Sequence, residues 1–287
     1  MRGGDSSRVA EGTLLLITAI WGTTFPLLSV TLHLVDAYTI VAIRFSIAAV
    51  VLVALYGRRL ARMSRVEVWD GVRTGLLLVA GYLTQAIGLT TTSVPRSAFL
   101  TGTAVVFMPF VSFLVLRSRV QIGETLGVAL VFAGLLIFYA DAGLSLRAGD
   151  VWTLACAVLF ACQVVYTNVA ARRSDPYAVS AMQALVSGAV GWLFIGARGK
   201  LSVPAEAWGT LLYLGVVASA LILVLQTWAL GKTNPVRAGV IYSLEPVFAS
   251  IFAMWFFGAH MSLLEVAGSA AILAGVLVAE LKKVSAD

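Results

Sequence analysis

The stretch YTIVAIRFSIAAVVLVALY, residues 38–56, decides the fold. Arg44 is its single charge, and a basic run with Arg58, Arg59 and Arg62 follows it. Spanning a bilayer takes about 20 apolar residues, because the hydrocarbon is about 30 Å thick and a helix rises about 1.5 Å per residue. The stretch fits that length, so it reads as a transmembrane helix. The same signature recurs outward along the chain, at 12–32, 69–90, 97–116, 123–140, 151–170, 177–196, 208–230, 236–258 and 263–281. The connections are short. The fold class is therefore all-α: a polytopic membrane protein with ten transmembrane helices.

Composition agrees. Of 287 residues, 60% are hydrophobic and 12% charged, whereas a soluble domain is nearer half and a quarter. A soluble core does not hold so much apolar surface. The first run follows a mildly charged tail and has no small-residue cleavage site, so it reads as a retained span. Trp69, Trp152 and Trp208 fall at span starts, where an amphipathic ring suits the interface.

Charge sets the expected orientation. Fifteen of the twenty Lys and Arg residues fall on the side of the N-terminus, among them Arg2, Arg65, Arg119, Lys282 and Lys283. Arg96, Arg147, Arg198 and Lys200 fall opposite. This bias expects a multi-pass protein of the cell inner (plasma) membrane with both termini cytoplasmic. The net charge of +6 sits in short runs that suit anionic lipid headgroups, and nucleic acid is not an expected partner. Cys156 and Cys162 share one apolar run, too far apart on a helix for a disulfide. With His33 and His260 they form no metal site, and both histidines read as loop residues.

An internal repeat divides the chain into 1–140 and 141–287. Glu124-x-x-Gly127 with Gly134 matches Glu265-x-x-Gly268 with Gly275, and Asp36-x-Tyr38 matches Asp175-x-Tyr177. Trp21 aligns with Phe160, Thr24 with Gln163, and Pro109 with Pro246 after a shift of register. Five spans is an odd number, so the second half enters the membrane from the other face. Two inverted repeats and a midplane site between them are the expected architecture, as in alternating-access carriers.

These residues carry a resemblance to a known family. Trp21-Gly22-Thr23-Thr24-Phe25-Pro26 resembles the first-helix signature of the drug/metabolite transporter superfamily, EamA type. Gly88-Leu89-Thr90-Thr91-Thr92, Ala98-Phe99-Leu100-Thr101 with Pro109, and Ser243-Leu244-Glu245-Pro246 are similar to later helices of the same family. The resemblance covers nearly the whole chain. It implies ten helices, a central cavity, and export of amino acids or similar metabolites, with bacterial exporters of aromatic and other neutral amino acids the nearest in look. Many members carry Phe-Leu-Gly-Glu-Arg after the fourth and ninth helices, but the Glu positions here are Ser118 and Ala259.

No enzyme motif survives inspection. Gly231-Lys232-Thr233 lacks the upstream glycine of a phosphate loop. Polar and aromatic residues within spans are the stronger signal. Trp21 with Thr24, Tyr82 with Gln85, Gln163 with Tyr166, and Tyr242 with Glu245 lie three apart and share helix faces. Phe99, Thr103 and Trp228 fall at similar depths. Such groups either line a cavity or glue helices together; as a set they favour a cavity for an amphiphilic neutral solute. Arg44 either binds a substrate carboxylate or, the weightier reading, is satisfied by carbonyls of a neighbouring helix. Glu245 is either a coupling acid or, again the weightier reading, a group that satisfies the backbone freed by Pro246. Gly123 and Gly127 serve packing within the chain or dimerisation.

The reading is a carrier, monomeric as a unit, that exports neutral aromatic or aliphatic amino acids without a cofactor. The alternatives are a multidrug or other metabolite exporter and, further off, a lipid-acting membrane enzyme.

Overall fold

The computed structural model describes residues 3–92, 94–117, 121–140, 148–198, 202–258 and 260–281. Arg2, Ser118, Arg119, Arg147, Lys200, Ala259, Lys282 and Lys283 lie outside the described residues. Helices run as α1 (Gly3–Thr31), α2 (Ala37–Leu60), α3 (Arg65–Leu89), α4 (Val94–Gly102), α5 (Ala104–Leu116), α6 (Ile122–Phe138), α7 (Ala148–Arg173) and α8 (Pro176–Arg198). They continue as α9 (Trp208–Leu212), α10 (Ile222–Leu230), α11 (Pro235–Tyr242), α12 (Glu245–Phe257) and α13 (Leu263–Leu281). A π-helical stretch, Tyr213–Leu221, joins α9 to α10. No strand occurs among the described residues. Eight helical runs are long and apolar enough to cross a membrane, and the shorter apolar helices Ile122–Phe138 and Leu263–Ala279 bring the spans to ten.

Helix starts follow from local chemistry. Asp36 caps α2 by accepting from the Tyr38 and Thr39 amides, and Asp175 caps α8 through Tyr177 and Ala178. Capping boxes open α3 at Ser64 with Glu67 and α6 at Gln121 with Glu124. Ser262 and Glu265 do the same for α13. Trp69, Trp152 and Trp208 are exposed near the starts of α3, α7 and α9, in keeping with interfacial rings. His33 and His260 lie exposed in connections.

The fourth and ninth spans are not continuous helices. The fourth breaks at Thr103 between α4 and α5, and the ninth breaks at Ser243 and Leu244 between α11 and α12. At each break a hydroxyl takes up a carbonyl: Thr103 Oγ1 donates to Leu100 O at 2.5 Å and Ser243 Oγ to Gly239 O at 2.9 Å. Broken helices survive at membrane depth where neighbouring groups satisfy the freed backbone.

Packing pairs the spans in a regular way. The second packs on the seventh, and the fifth on the tenth. The first packs on the eighth and ninth, as the sixth packs on the third and fourth. The second also meets the eighth, as the seventh meets the third. Glycines set the closest seam. A Cβ on Gly268 would stand 2.5 Å from Phe138 N, and one on Gly127 would stand 2.7 Å from Ala279 Cβ. Gly127 therefore packs α6 on α13 within the chain.

Two arginines read from the sequence as connection charges are buried instead. Arg96 pairs with Asp150 of α7, and Arg237 stands beside Glu124 of α6. A buried guanidinium needs an acid, and each has one within reach. Arg173 with Asp70 and Arg59 with Asp175 tie spans at the face that carries the N-terminus.

Candidate substrate cavity

A cavity lies between the first, third, fourth, sixth, eighth and ninth spans, with α2 at its edge. It extends toward the face away from the N-terminus, where Leu28, Leu89 and Ser97 line its end. Toward the opposite face the same spans close on an apolar cluster that includes Leu14, Ile17, Met108, Ala161, Leu230 and Ile241. There α11 packs closely on α5, whereas α4 and α12 touch only lightly. The cavity thus lies toward one face of the bundle, with the apolar cluster between it and the other.

Of the residues singled out in the sequence, Trp21, Thr24, Tyr82, Gln85, Gln163 and Tyr242 line this cavity, and so do Arg44 and Glu245. Four others do not, Thr103 among them at the break between α4 and α5. Tyr166 is 37% exposed on the outer face of α7. Phe99 packs on Tyr139 with ring centroids 5.1 Å apart. Trp228 packs beside the apolar cluster with Lys232 Nζ 4.5 Å above its ring. Helix geometry separates Phe99 and Trp228 from the lining, while a step of three, which keeps Trp21 and Thr24 together, leaves Tyr166 outside. A step of three residues falls about 60° short of a full turn, and a step of two turns about 200°. Tyr166, three past Gln163, rotates out of the cavity; Phe99 and Trp228, two past Ser97 and Gln226, lie on opposite faces from them.

An aromatic ladder forms one wall. Phe45, Tyr82 and Phe160 meet edge to face, with centroids 5.2 Å apart at both contacts. Gly81 makes room for this: a Cβ there would stand 2.5 Å from Phe160 Cε1. The Arg44 guanidinium lies 4.7 Å from the Tyr82 centroid and 5.4 Å from that of Phe45. Arg44 Nε donates to Ser219 Oγ at 3.0 Å and Nη2 to Ala218 O at 3.2 Å. Both acceptors belong to the π-helical stretch. One hydroxyl and one carbonyl of the neighbouring helix thus hold the guanidinium, which also lines the cavity.

The other wall holds Trp21 and Tyr242, tilted rings with centroids 5.2 Å apart. Trp21 Nε1 and Ser97 Oγ are buried without a hydrogen-bond partner among the described residues, and Tyr242 Oη stands near Gln226 without a hydrogen bond of good geometry. Gln85 Nε2 donates to Thr101 Oγ1 at 3.1 Å, and Gln163 Nε2 to Thr167 Oγ1 at 3.1 Å. Unpartnered polar atoms of this kind cost the folded chain unless a solute or water meets them.

Glu245 begins α12, just before Pro246, where the helix N-terminus favours negative charge. Its carboxylate makes no hydrogen bond or ion pair among the described residues, and so does not satisfy backbone freed by Pro246. It does not pair with Arg44 either, which is turned to Ser219. The cavity therefore presents one guanidinium and one carboxyl group that do not pair with each other.

Sequence reasoning missed Phe45, Ser219, Gln226, Thr101 and Ser97. Phe160 was noted only as the repeat counterpart of Trp21. Gln226 carried a signal, as a lone amide in an apolar run. Ser219 and Phe45 carried none, since isolated serines and phenylalanines are common in spans.

A ten-span helical bundle around a one-sided polar and aromatic cavity has the form of a membrane transport protein. The chain belongs to the EamA-like transporter family, which matches it twice, at residues 9–140 and 147–281. It is similar to an uncharacterized transporter of Archaeoglobus fulgidus, 26% identical over 95% of this chain and 86% of that one. It is also similar to the uncharacterized transporter YoaV of Bacillus subtilis, 22% identical over 83% of this chain and 85% of that one. A solved crystal structure, 18% identical, superposes with a TM-score of 0.82 over 96% of each chain, and so shares the fold.

Proposed function

We propose that this transporter exports neutral amino acids with aromatic or aliphatic side chains by alternating access between two inverted five-span repeats. The observation that carries the reading is the cavity's separated guanidinium and carboxyl groups, Arg44 and Glu245, set among the rings of Trp21, Tyr82 and Tyr242. A free amino acid offers a carboxylate, an ammonium group and an apolar side chain. Arg44 would receive the first, Glu245 the second, and the rings the third. The symmetric pairing of spans and the twice-matching family support the inverted repeat. The basic excess beside the N-terminus supports a plasma-membrane location with cytoplasmic termini. On that orientation the cavity faces outward here.

The test is uptake by liposomes holding the purified protein, with labelled phenylalanine and leucine against lysine, glutamate and a lipophilic cation. Saturable exchange of phenylalanine or leucine is expected, falling about ten- to a hundredfold in Arg44→Met, the worth of a charge-assisted contact. Transport of the lipophilic cation alone would overturn the amino-acid reading in favour of a multidrug exporter.

A further inference from the structure

Two buried arginines open the outer and inner ends of the broken spans. Arg96 lies at the start of the fourth span and Arg237 at the start of the ninth. The offset between them also relates Glu124 to Glu265 and Gly127 to Gly268. The offset that relates Asp36 to Asp175 likewise relates Glu11 to Asp150. Each arginine thus has two acids at matching places. For Arg237 they are Glu11 on the first span and Glu124 on the fifth; for Arg96 they are Asp150 on the sixth and Glu265 on the tenth.

The two arginines use these matching acids differently. Arg96 is joined to Asp150 by two bonds, Nε to Oδ1 at 2.9 Å and Nη2 to Oδ2 at 2.7 Å, and Thr92 Oγ1 adds a third contact at 3.0 Å. Arg237 instead sides with Glu124, Nε to Oε1 at 3.3 Å, while its approach to Glu11 is 4.0 Å. Asn234 Nδ2 and Gln121 Oε1 complete that cluster at 3.1 and 3.3 Å. Glu265 meanwhile accepts from Ser262 N at 2.7 Å and makes no ion pair among the described residues.

We infer that Arg96 and Arg237 are the two latches of the transport cycle, exchanging acids in opposite phase. The inference rests on the alternating-access reading above. With the cavity open on the far face, Arg237 holds Glu124 and shuts the face beside the N-terminus, while Arg96 rests on Asp150. In the inverted state Arg237 passes to Glu11, and Arg96 passes to Glu265 and shuts the far face. A buried guanidinium left without an acid costs several kcal/mol. Each arginine therefore keeps an acid close in either arrangement, nearer one or the other, which makes the element two-state.

The experiment measures spin-label distances in nanodiscs, with Cys156 and Cys162 replaced. One label pair at His33 and Thr91 reports the far face, and another at Arg172 and Lys232 reports the other face. Glu265→Gln keeps the helix cap, since Gln serves in a capping box as Glu does. It should deplete the state closed on the far face at least tenfold. Glu124→Gln should shift the populations the other way, toward opening beside the N-terminus. Ser262→Ala removes the cap but keeps the Glu265 charge, and should leave both distributions unchanged. Two populations in the wild-type chain that Glu265→Gln and Glu124→Gln leave unaltered would overturn the latches and spare alternating access. A single shared distribution in the wild type and both variants would overturn alternating access, and the latches with it.

Discussion

Trp21→Phe separates a substrate contact from a packing contact. The Trp21 ring leans on Tyr242 at 5.2 Å, and Nε1 is buried without a partner among the described residues. Phenylalanine keeps most of the ring and removes the donor. Shrinking the side chain should cost about 1 kcal/mol of packing. Deleting an unmet buried donor should return about 1–3 kcal/mol, less if water reaches it in the empty cavity. The two nearly cancel, so the melting temperature in detergent should move by only a few degrees. Binding is different. A neutral hydrogen bond to the substrate is worth about 0.5–1.5 kcal/mol, or about two- to tenfold in affinity. The concentration dependence of uptake should therefore shift by that factor while folded yield holds. A variant with full affinity would refute the role of Nε1, and one that loses more than about 2 kcal/mol of stability would make Trp21 a packing residue.

Other consequences are open to measurement. Gly268→Ala should destabilise the chain by about 1–3 kcal/mol in detergent melting, because a Cβ would meet the backbone of Phe138; Gly12→Ala, with nothing within 4 Å, should be neutral or mildly stabilising. Arg117 holds a left-handed φ of 51°, at the position matching Gly258 with φ 63°, so Arg117→Gly should stabilise by about 1 kcal/mol. Gln85→Ala should weaken transport with folded yield nearly unchanged, whereas Leu130→Ala, at an exposed apolar position, should change neither. Single cysteines at Arg62 and His33, exposed on opposite faces, should label from opposite sides of intact cells, with His33 reached by an impermeant reagent.

The spans were legible because hydropathy accumulates over about twenty residues and no local detail offsets it. The breaks were less so. Pro109 and Pro246 marked the right spans, but the helices part at Thr103 and at Ser243, residues with no breaking tendency of their own. The cavity was partly legible, through polar residues too costly to leave in lipid. Phe99 and Trp228 were drawn in by depth alone, and depth says nothing of azimuth; Tyr166 was drawn in by its three-residue step from Gln163, which falls about 60° short of a full turn. The ion pairs of Arg96 and Arg237 were hidden, because a charge near a span end looks the same whether it meets water or a buried acid on another helix.

The glycine seam between α6 and α13 has a consequence for how damage shows itself. It joins the fifth span to its own counterpart, so an exchange of the two halves carries the seam onto itself. On the proposed alternating-access cycle it would work as a hinge pin, keeping its contacts whichever way the carrier faced. A lesion such as Gly134→Val, which would meet Ile272 and the Gly268 carbonyl, should lower the amount of folded carrier without biasing its direction. Variants found by loss of transport should thus fall into two groups: those scarce but evenly poised, from the pin, and those abundant but stuck facing one way.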